Sequence, residues 1–182
     1  MSTGTPVKTA DICDRFPESV EVCEAMFTSY GSVDAFNGQI STVKVYEDNV
    51  LVREALEDLA PGSVLVVDGG GSRRCALLGD KLASIAASRG LAGIIINGCV
   101  RDSRELAEIE VGIMALASHP LRSKKEGKGQ RDVPVEFGGV TWTPGHHVYA
   151  DNDGIVLAAG MLREEKQLSL PLRLPRSILG GS

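Results

Sequence analysis

Ser63-Val-Leu-Val-Val67, the stretch 80–89 and Gly93-Ile-Ile-Ile-Asn97 decide how this chain folds. The first and third are short, apolar and rich in β-branched residues, the composition of strands buried on both faces. Between them residues 80–89 have a helical pattern that Gly90 stops at its C-terminal end. Strand, helix and strand at this spacing predict a βαβ unit with parallel strands and a right-handed crossover. The loops after Val67 and Asn97 are then expected at one edge of the sheet.

The pattern continues in both directions. Upstream, residues 39–45 place Ile40, Thr42, Val43 and Val45 in a strand. Asn49 can cap a helix whose Val52, Ala55, Leu56 and Leu59 recur at i, i+3, i+4 and i+7, before Pro61-Gly62 ends it. Thr9 can cap a short helix with Asp11 in its first turn. Downstream, 103–109 reads as a short helix and 113–117 as a strand. After Pro120, short β segments follow at 133–137, 140–142, 148–150 and 155–158, separated by Gly and Asp turns. A parallel βα portion joined to a β-rich portion predicts an α/β fold in three layers, a β/β/α sandwich, rather than an open doubly wound sheet.

The 182 residues suit one domain with a substantial core. With 19 Lys and Arg against 24 Asp and Glu, the net charge of −5 argues against direct, sequence-independent nucleic-acid binding. An RNA-related role would run through a protein partner. No apolar run approaches the ~18 residues of a membrane helix, and Met1-Ser2-Thr3-Gly4-Thr5-Pro6 lacks the regions of a signal peptide, so a cytoplasmic protein without a membrane partner is expected. Cys13, Cys23, Cys75 and Cys99 form no C-x-x-C pair and read as buried hydrophobes in a reducing compartment. Residues 1–165 are expected to form the single domain and 166–182 a C-terminal extension. There Leu168, Leu170, Leu172 and Leu174 alternate, while Pro171 and Pro175 forbid a central strand, which points to an extended arm on a neighbouring subunit.

Two places could carry chemistry. The cluster Val67-Asp68-Gly69-Gly70-Gly71-Ser72 follows a strand, but a dinucleotide fingerprint counted from Gly69 and Gly71 needs Gly where Arg74 stands. It reads as a tight turn, or as backbone N–H groups touching a small anion. The second place is Gly79-Asp80 at a helix start, followed after twenty residues by Arg101-Asp102 and then Glu105. In a βαβ unit Asp80, Arg101 and Asp102 can converge at the carboxyl ends of the strands, with helix N–H groups of residues 80–82 available for an anion. Carboxylates suit Mg²⁺ or Mn²⁺, and an Arg fork suits a carboxylate or enolate. The same residues also read as a surface ion pair of Arg101 with Asp102 or Glu105.

Val64-Leu-Val-Val-Asp-Gly-Gly-Gly-Ser72, Asn97-Gly-Cys-Val-Arg-Asp102, Gly112-Ile-Met-Ala-Leu-Ala-Ser-His-Pro120 and Tyr149-Ala-Asp-Asn-Asp-Gly-Ile155 together resemble the family of the regulator of ribonuclease activity A and the class II 4-hydroxy-4-methyl-2-oxoglutarate aldolases. The resemblance covers about residues 8–160. It implies a swivelling-type β/β/α domain, assembled as a homotrimer. The aldolase branch holds Asp-x20-Arg-Asp, matched by Asp80, Arg101 and Asp102, whereas regulator-type members typically lose the Asp after the Arg.

By this resemblance Asp102, with Glu105 as a further acidic position, carries a divalent cation, Mg²⁺ or Mn²⁺. Arg101 binds a small 2-oxo acid substrate, and Gly79, Asp80, Lys81 and Leu82 line the pyruvyl-binding turn. Asp80 is the best placed to polarise a water acting as base. The implied activity is cleavage of 4-hydroxy-4-methyl-2-oxoglutarate to pyruvate, with oxaloacetate decarboxylation through the same pyruvate enolate. The rival is a non-catalytic regulator that binds and inhibits an RNA-degrading enzyme of the ribonuclease E type. Members have also been labelled menaquinone methyltransferases, against which the missing fingerprint argues. In the aldolases an acidic residue near the chain end of an adjacent subunit completes the pocket, and only Glu164 and Glu165 are candidates here.

Other residues read more plainly. Lys81 at a helix start is a solvated ammonium rather than a Schiff-base amine. His146-His147 belongs to a turn with hydrogen-bonded imidazoles rather than to a metal site. Asp151-Asn-Asp-Gly154 lacks the later ligands of a calcium loop. Residues 122–131, with Lys124, Lys125 and Lys128 among glycines, read as a solvated loop.

Overall fold

A computed structural model describes residues 7–163; the expected arm at 166–182, and Glu164 and Glu165, lie outside the described residues. The elements in chain order are α1 (Thr9–Arg15), β1 (Val20–Val22), β2 (Thr28–Ser29), β3 (Phe36–Lys44), α2 (Val50–Asp58), β4 (Val64–Asp68), β5 (Ala76–Leu78), α3 (Asp80–Ser88) and β6 (Gly93–Val100). There follow α4 (Ser103–Leu106), β7 (Gly112–Ser118), β8 (Gln130–Arg131), β9 (Val135–Phe137), β10 (Val140–Trp142), β11 (His147–Asp151) and β12 (Gly154–Ala158).

The ten-stranded sheet runs β1-β12-β11-β3-β4-β6-β7-β2, with β5 also on β6 and β8 on β3. Its middle is parallel: Ile40 pairs with Val64, Val64 with Gly93 and Gly93 with Gly112. β3 joins two regimes, since residues 36–39 pair antiparallel with β11 and residues 40–44 pair parallel with β4. Alternation then separates the two cores. Leu65, Val67, Ile94 and Ile96 face Val52, Leu56, Leu82 and Ala86 of the helices. Val64, Val66 and Ile95 face Phe137, Trp142, Val148 and Leu157 of the antiparallel strands. The result is the expected sandwich: helices, parallel strands and antiparallel strands.

Side-chain volume fixes two strand starts. A Cβ on Gly93 or Gly112 would stand 2.3 or 2.1 Å from the Phe36 ring, so both strands begin on glycine where that ring crosses them. In the second core the buried Trp142 stacks on Phe137 with ring centres 4.7 Å apart and donates its indole N–H to the Phe137 carbonyl at 3.1 Å.

Several expectations need correction. β6 runs on to Val100, so Asn97 lies inside the strand and the loop leaves three residues later. Gly98 interrupts the apolar run in sequence, but a register shift between Ile96 and Cys99 absorbs it. Thr9 does not cap α1; its N–H and hydroxyl bond the Asp151 carboxylate at 2.8 and 2.7 Å, tying the helix to β11. Nor does the Asn49 side chain cap α2: it donates to the Leu77 carbonyl at 3.3 Å, while Asp48 accepts the Val50 N–H at 3.1 Å. The short β1, β2, β5 and β8 carry no clear period in sequence.

Among the described residues no helix is long and apolar enough to cross a membrane. Cys23, Cys75 and Cys99 are buried free thiols. Burial, helped by the Glu24 charge, pushes Cys23 up to about 11, the state of an inert thiol.

Candidate active site

Two cavities open at the carboxyl edge of the parallel strands. The larger, about 770 Å³, lies beside the glycine turn and includes Lys44, Tyr46, Asp68, Arg74 and Lys124 in its wall. The turn does not offer an anion cradle. Gly69 and Gly71 donate to the Asn97 carbonyl, both at 3.1 Å, and Gly70 donates to Asp68 at 2.9 Å. Asn97 fixes the same Asp68 oxygen at 3.1 Å, and Gly70 and Gly71 sit at φ of 66° and 72°, where glycine is favoured. Of the two readings left open by the sequence, the turn accounts for these N–H groups.

The second cavity, about 540 Å³, brings Gly79, Asp80, Lys81, Leu82, Arg101 and Asp102 together. β5 delivers Gly79 to the start of α3, and β6 delivers Arg101, whose N–H bonds the Leu78 carbonyl at 2.9 Å. Asp102 turns the chain into α4 with φ 57° and ψ 42°, a left-handed conformation that Asp tolerates better than most residues. That conformation goes with the observed contact: Asp102 Oδ2 accepts the Asp80 N–H at 3.0 Å. Gly79 makes room for it, because a Cβ there would stand 2.5 Å from Asp102 Oδ2 and 3.3 Å from Arg101 Cγ.

The Asp80 N–H is therefore spent, and the N–H groups of Lys81 and Leu82 have no acceptor among the described residues. Asp80, Arg101 and Asp102 are half-buried, and Lys81 is exposed. Glu105 is exposed on α4 and does not line this cavity. The set Gly79, Asp80, Arg101 and Asp102 is thus contiguous, whereas Glu105 stands apart.

Among the described residues no group of three His, Cys, Asp or Glu side chains converges as a ready-made metal cage. A hard cation that keeps most of its water needs only one or two carboxylates, and Asp80 and Asp102 bring carboxylates to this cavity.

Arg122, Ser123 and Lys125 also line this cavity, although the sequence reads their loop only as solvated. The signal that could have found them is topological. β7 is parallel to β6, so the chain leaving it emerges at the edge where Arg101 lies. The loop is exposed at its Lys residues, as expected, but its backbone is anchored: Ala76 N–H bonds the Leu121 carbonyl at 2.7 Å and Lys124 N–H bonds the Glu47 carbonyl at 2.8 Å.

Only part of the turn reading of the imidazole pair holds: the His146 N–H closes a turn on the Thr143 carbonyl at 3.0 Å, whereas His147 is the first residue of β11. His147 is buried, shares a hydrogen bond with Asn37 at 2.9 Å, and is pushed below its ordinary pKa by burial. Asp151 is committed to Thr9 and to the Asp153 N–H at 2.9 Å, within the turn joining β11 and β12.

A sequence model of the RraA-like family, described as Aldolase/RraA, matches residues 9–157. A Bacillus cereus relative, 55% identical over 83% of this chain and 95% of its own, bears the provisional name 4-hydroxy-4-methyl-2-oxoglutarate aldolase. An Aromatoleum aromaticum relative of the same provisional name is 54% identical over 85% of this chain and 98% of its own. Two solved structures superpose with a TM-score of 0.85. One, from Geobacillus kaustophilus, is named as an S-adenosylmethionine:2-dimethylmenaquinone methyltransferase, at 62% identity over 86% of this chain and 97% of that one. The other is the RNA-processing inhibitor RraA of Thermus thermophilis, at 44% identity over 88% and 97%. The match across nearly the whole described fold, with relatives above half identity, makes this chain a member of the RraA-like aldolase/RraA family.

Proposed function

We propose that this chain is a divalent-metal-dependent aldolase that cleaves 4-hydroxy-4-methyl-2-oxoglutarate to pyruvate and decarboxylates oxaloacetate as a side reaction. The observation that carries the reading is the Asp102 carboxylate held on the Asp80 N–H, across Gly79 and beside Arg101. The names borne by relatives of about 54% identity support it.

In this reading Arg101 grips the 1-carboxylate and 2-oxo group of the substrate through its planar fork. Lys81 and Leu82, which line the same cavity, orient the pyruvyl unit through their N–H groups. A water polarised by Asp80 takes the proton from the C4 hydroxyl. The C3–C4 bond then breaks, its electrons pass to the 2-oxo oxygen as a pyruvate enolate, and C4 becomes the carbonyl of a second pyruvate. Protonation at C3 releases the first. Asp102 would hold a divalent cation, which would supply Lewis-acid stabilisation of the developing oxyanion. Glu105 adds negative potential nearby from α4. The assembly we propose is a homotrimer.

The glycine turn argues against a methyltransferase reading for this chain, since its N–H groups are bonded within the protein and Arg74 stands at the third fingerprint position. A second reading, inhibition of an RNA-degrading enzyme, is favoured by the likeness to the Thermus RNA-processing inhibitor. Pyruvate release from 4-hydroxy-4-methyl-2-oxoglutarate in Mg²⁺, run beside an RNA-degradation assay with added chain, separates them. Turnover supports the aldolase; absent turnover with inhibited RNA degradation supports the regulator.

A further inference from the structure

The cavity at Gly79 is lined by more than the pyruvyl turn. Gly79, Arg101 and Asp102 share its wall with Arg122, Ser123 and Lys125. The loop carrying the last three is pinned. His119 N–H bonds the Val100 carbonyl at 2.8 Å, next to Arg101, and residue 122 pairs with Ala76 at the base of β5. Further on, the buried Asp48 carboxylate accepts the Glu126 and Lys128 N–H groups at 2.8 and 3.3 Å. A loop fastened at both ends presents its cations from a defined place.

Those cations are also uncommitted. On the same wall Arg53 is paired with Glu57 at 2.8 Å, and elsewhere Lys128 pairs with Glu126 at 3.0 Å and Arg131 with Asp58 at 2.7 Å. Among the described residues Arg122 and Lys125 have no acidic partner, although 24 Asp and Glu are available in the chain. One anionic group can occupy Arg101, so a second pair of cations in the same cavity fits a ligand with a second anionic end.

We propose that Arg122 and Lys125 bind the far carboxylate of the substrate and set a preference for dicarboxylic 2-oxo acids over monocarboxylic ones. The proposal rests on the aldolase reading above and deepens it. Arg122 offers a bidentate fork and Lys125 a point charge, so the two together hold a carboxylate on the half of the substrate that leaves.

The test compares 2-oxoglutarate with 2-oxopentanoate, which has the same chain length with a methyl group where the second carboxylate stands. Neither has a C4 hydroxyl, so neither can undergo the aldol cleavage. Binding is measured by calorimetry in Mg²⁺ for the native chain, for Arg122→Ala/Lys125→Ala, and for Arg122→Lys, with melting curves as the check on folding. The native chain should bind 2-oxoglutarate about tenfold more tightly or better, the double variant should lose that ratio, and Arg122→Lys should keep part of it. A ratio unchanged in the double variant, or near one in the native chain, overturns the proposal. Cleavage of 4-hydroxy-4-methyl-2-oxoglutarate by the native chain is followed separately: turnover without the ratio removes only the second-carboxylate site. Absence of both turnover and binding removes the aldolase reading and this proposal with it.

Discussion

Asp102 Oδ2 accepts the backbone N–H of Asp80 at 3.0 Å, and no side chain larger than hydrogen fits at Gly79 between them without movement. This contact links the end of β6 to the start of α3 and sets the direction of the carboxylate. Gly79→Ala should therefore push Asp102 and Arg101 aside. Pyruvate release should fall by about 10²-fold while stability falls by only about 1–2 kcal/mol. Steady-state kinetics and urea melts on one preparation check it; near-native turnover would mean that this geometry is not needed.

Arg101→Lys keeps the charge but loses the fork. It should lose about 2–4 kcal/mol of transition-state binding, seen in kcat/KM. Asp102→Asn should instead raise the concentration of Mg²⁺ needed for half-maximal rate. Near-native behaviour of both variants would place the chemistry elsewhere.

Much of this arrangement was legible in the sequence, for identifiable reasons. The runs at Val64 and Ile94 are buried on both faces, and such strands announce themselves. Asp80, Arg101 and Asp102 could be placed together because parallel strands return their loops to one edge. Long-range polar contacts could not be read. Thr9 with Asp151, and Asp48 with Glu126, are 142 and 78 residues apart, and nothing local marks either pair. β5 was hidden because three residues carry no measurable period, and β6 was cut short because Gly98 looks like an end.

Acid should unfold the chain in a way that reports those contacts. Burial pushes the Asp48 carboxyl up, but N–H groups of Val50, Glu126, Lys128 and Gly127 hold it below its ordinary 3.8. Burial likewise opposes Asp151, and bonds from Thr9, Asp153 and Gly154 hold it low. With folded values below unfolded ones, the unfolded chain binds more protons. The stabilisation is complete above about pH 4 and is lost as pH falls through the folded values. His147, held low by burial, acts in the same sense from about pH 6.5 downward. Urea melts at pH 7, 5 and 3 should show stability falling, and Asp48→Asn should lose about 1–3 kcal/mol at pH 7 while showing a shallower acid limb. Parallel pH curves for the two proteins would count against Asp48 as the clamp.

Deleting residues 166–182 should alter the mass or the melting temperature of the proposed homotrimer, read by light scattering and thermal melts. An unchanged oligomer of unchanged stability would remove any structural role for Leu168, Leu170, Leu172 and Leu174.

The most direct test is pyruvate released from 4-hydroxy-4-methyl-2-oxoglutarate by chelator-treated chain, before and after addition of Mg²⁺ or Mn²⁺, with Asp102→Asn alongside. The proposed mechanism predicts no turnover in chelator, recovery with either cation, and poor recovery in the variant. Full turnover in excess chelator, or substrate trapped on Lys81 by borohydride, would contradict it.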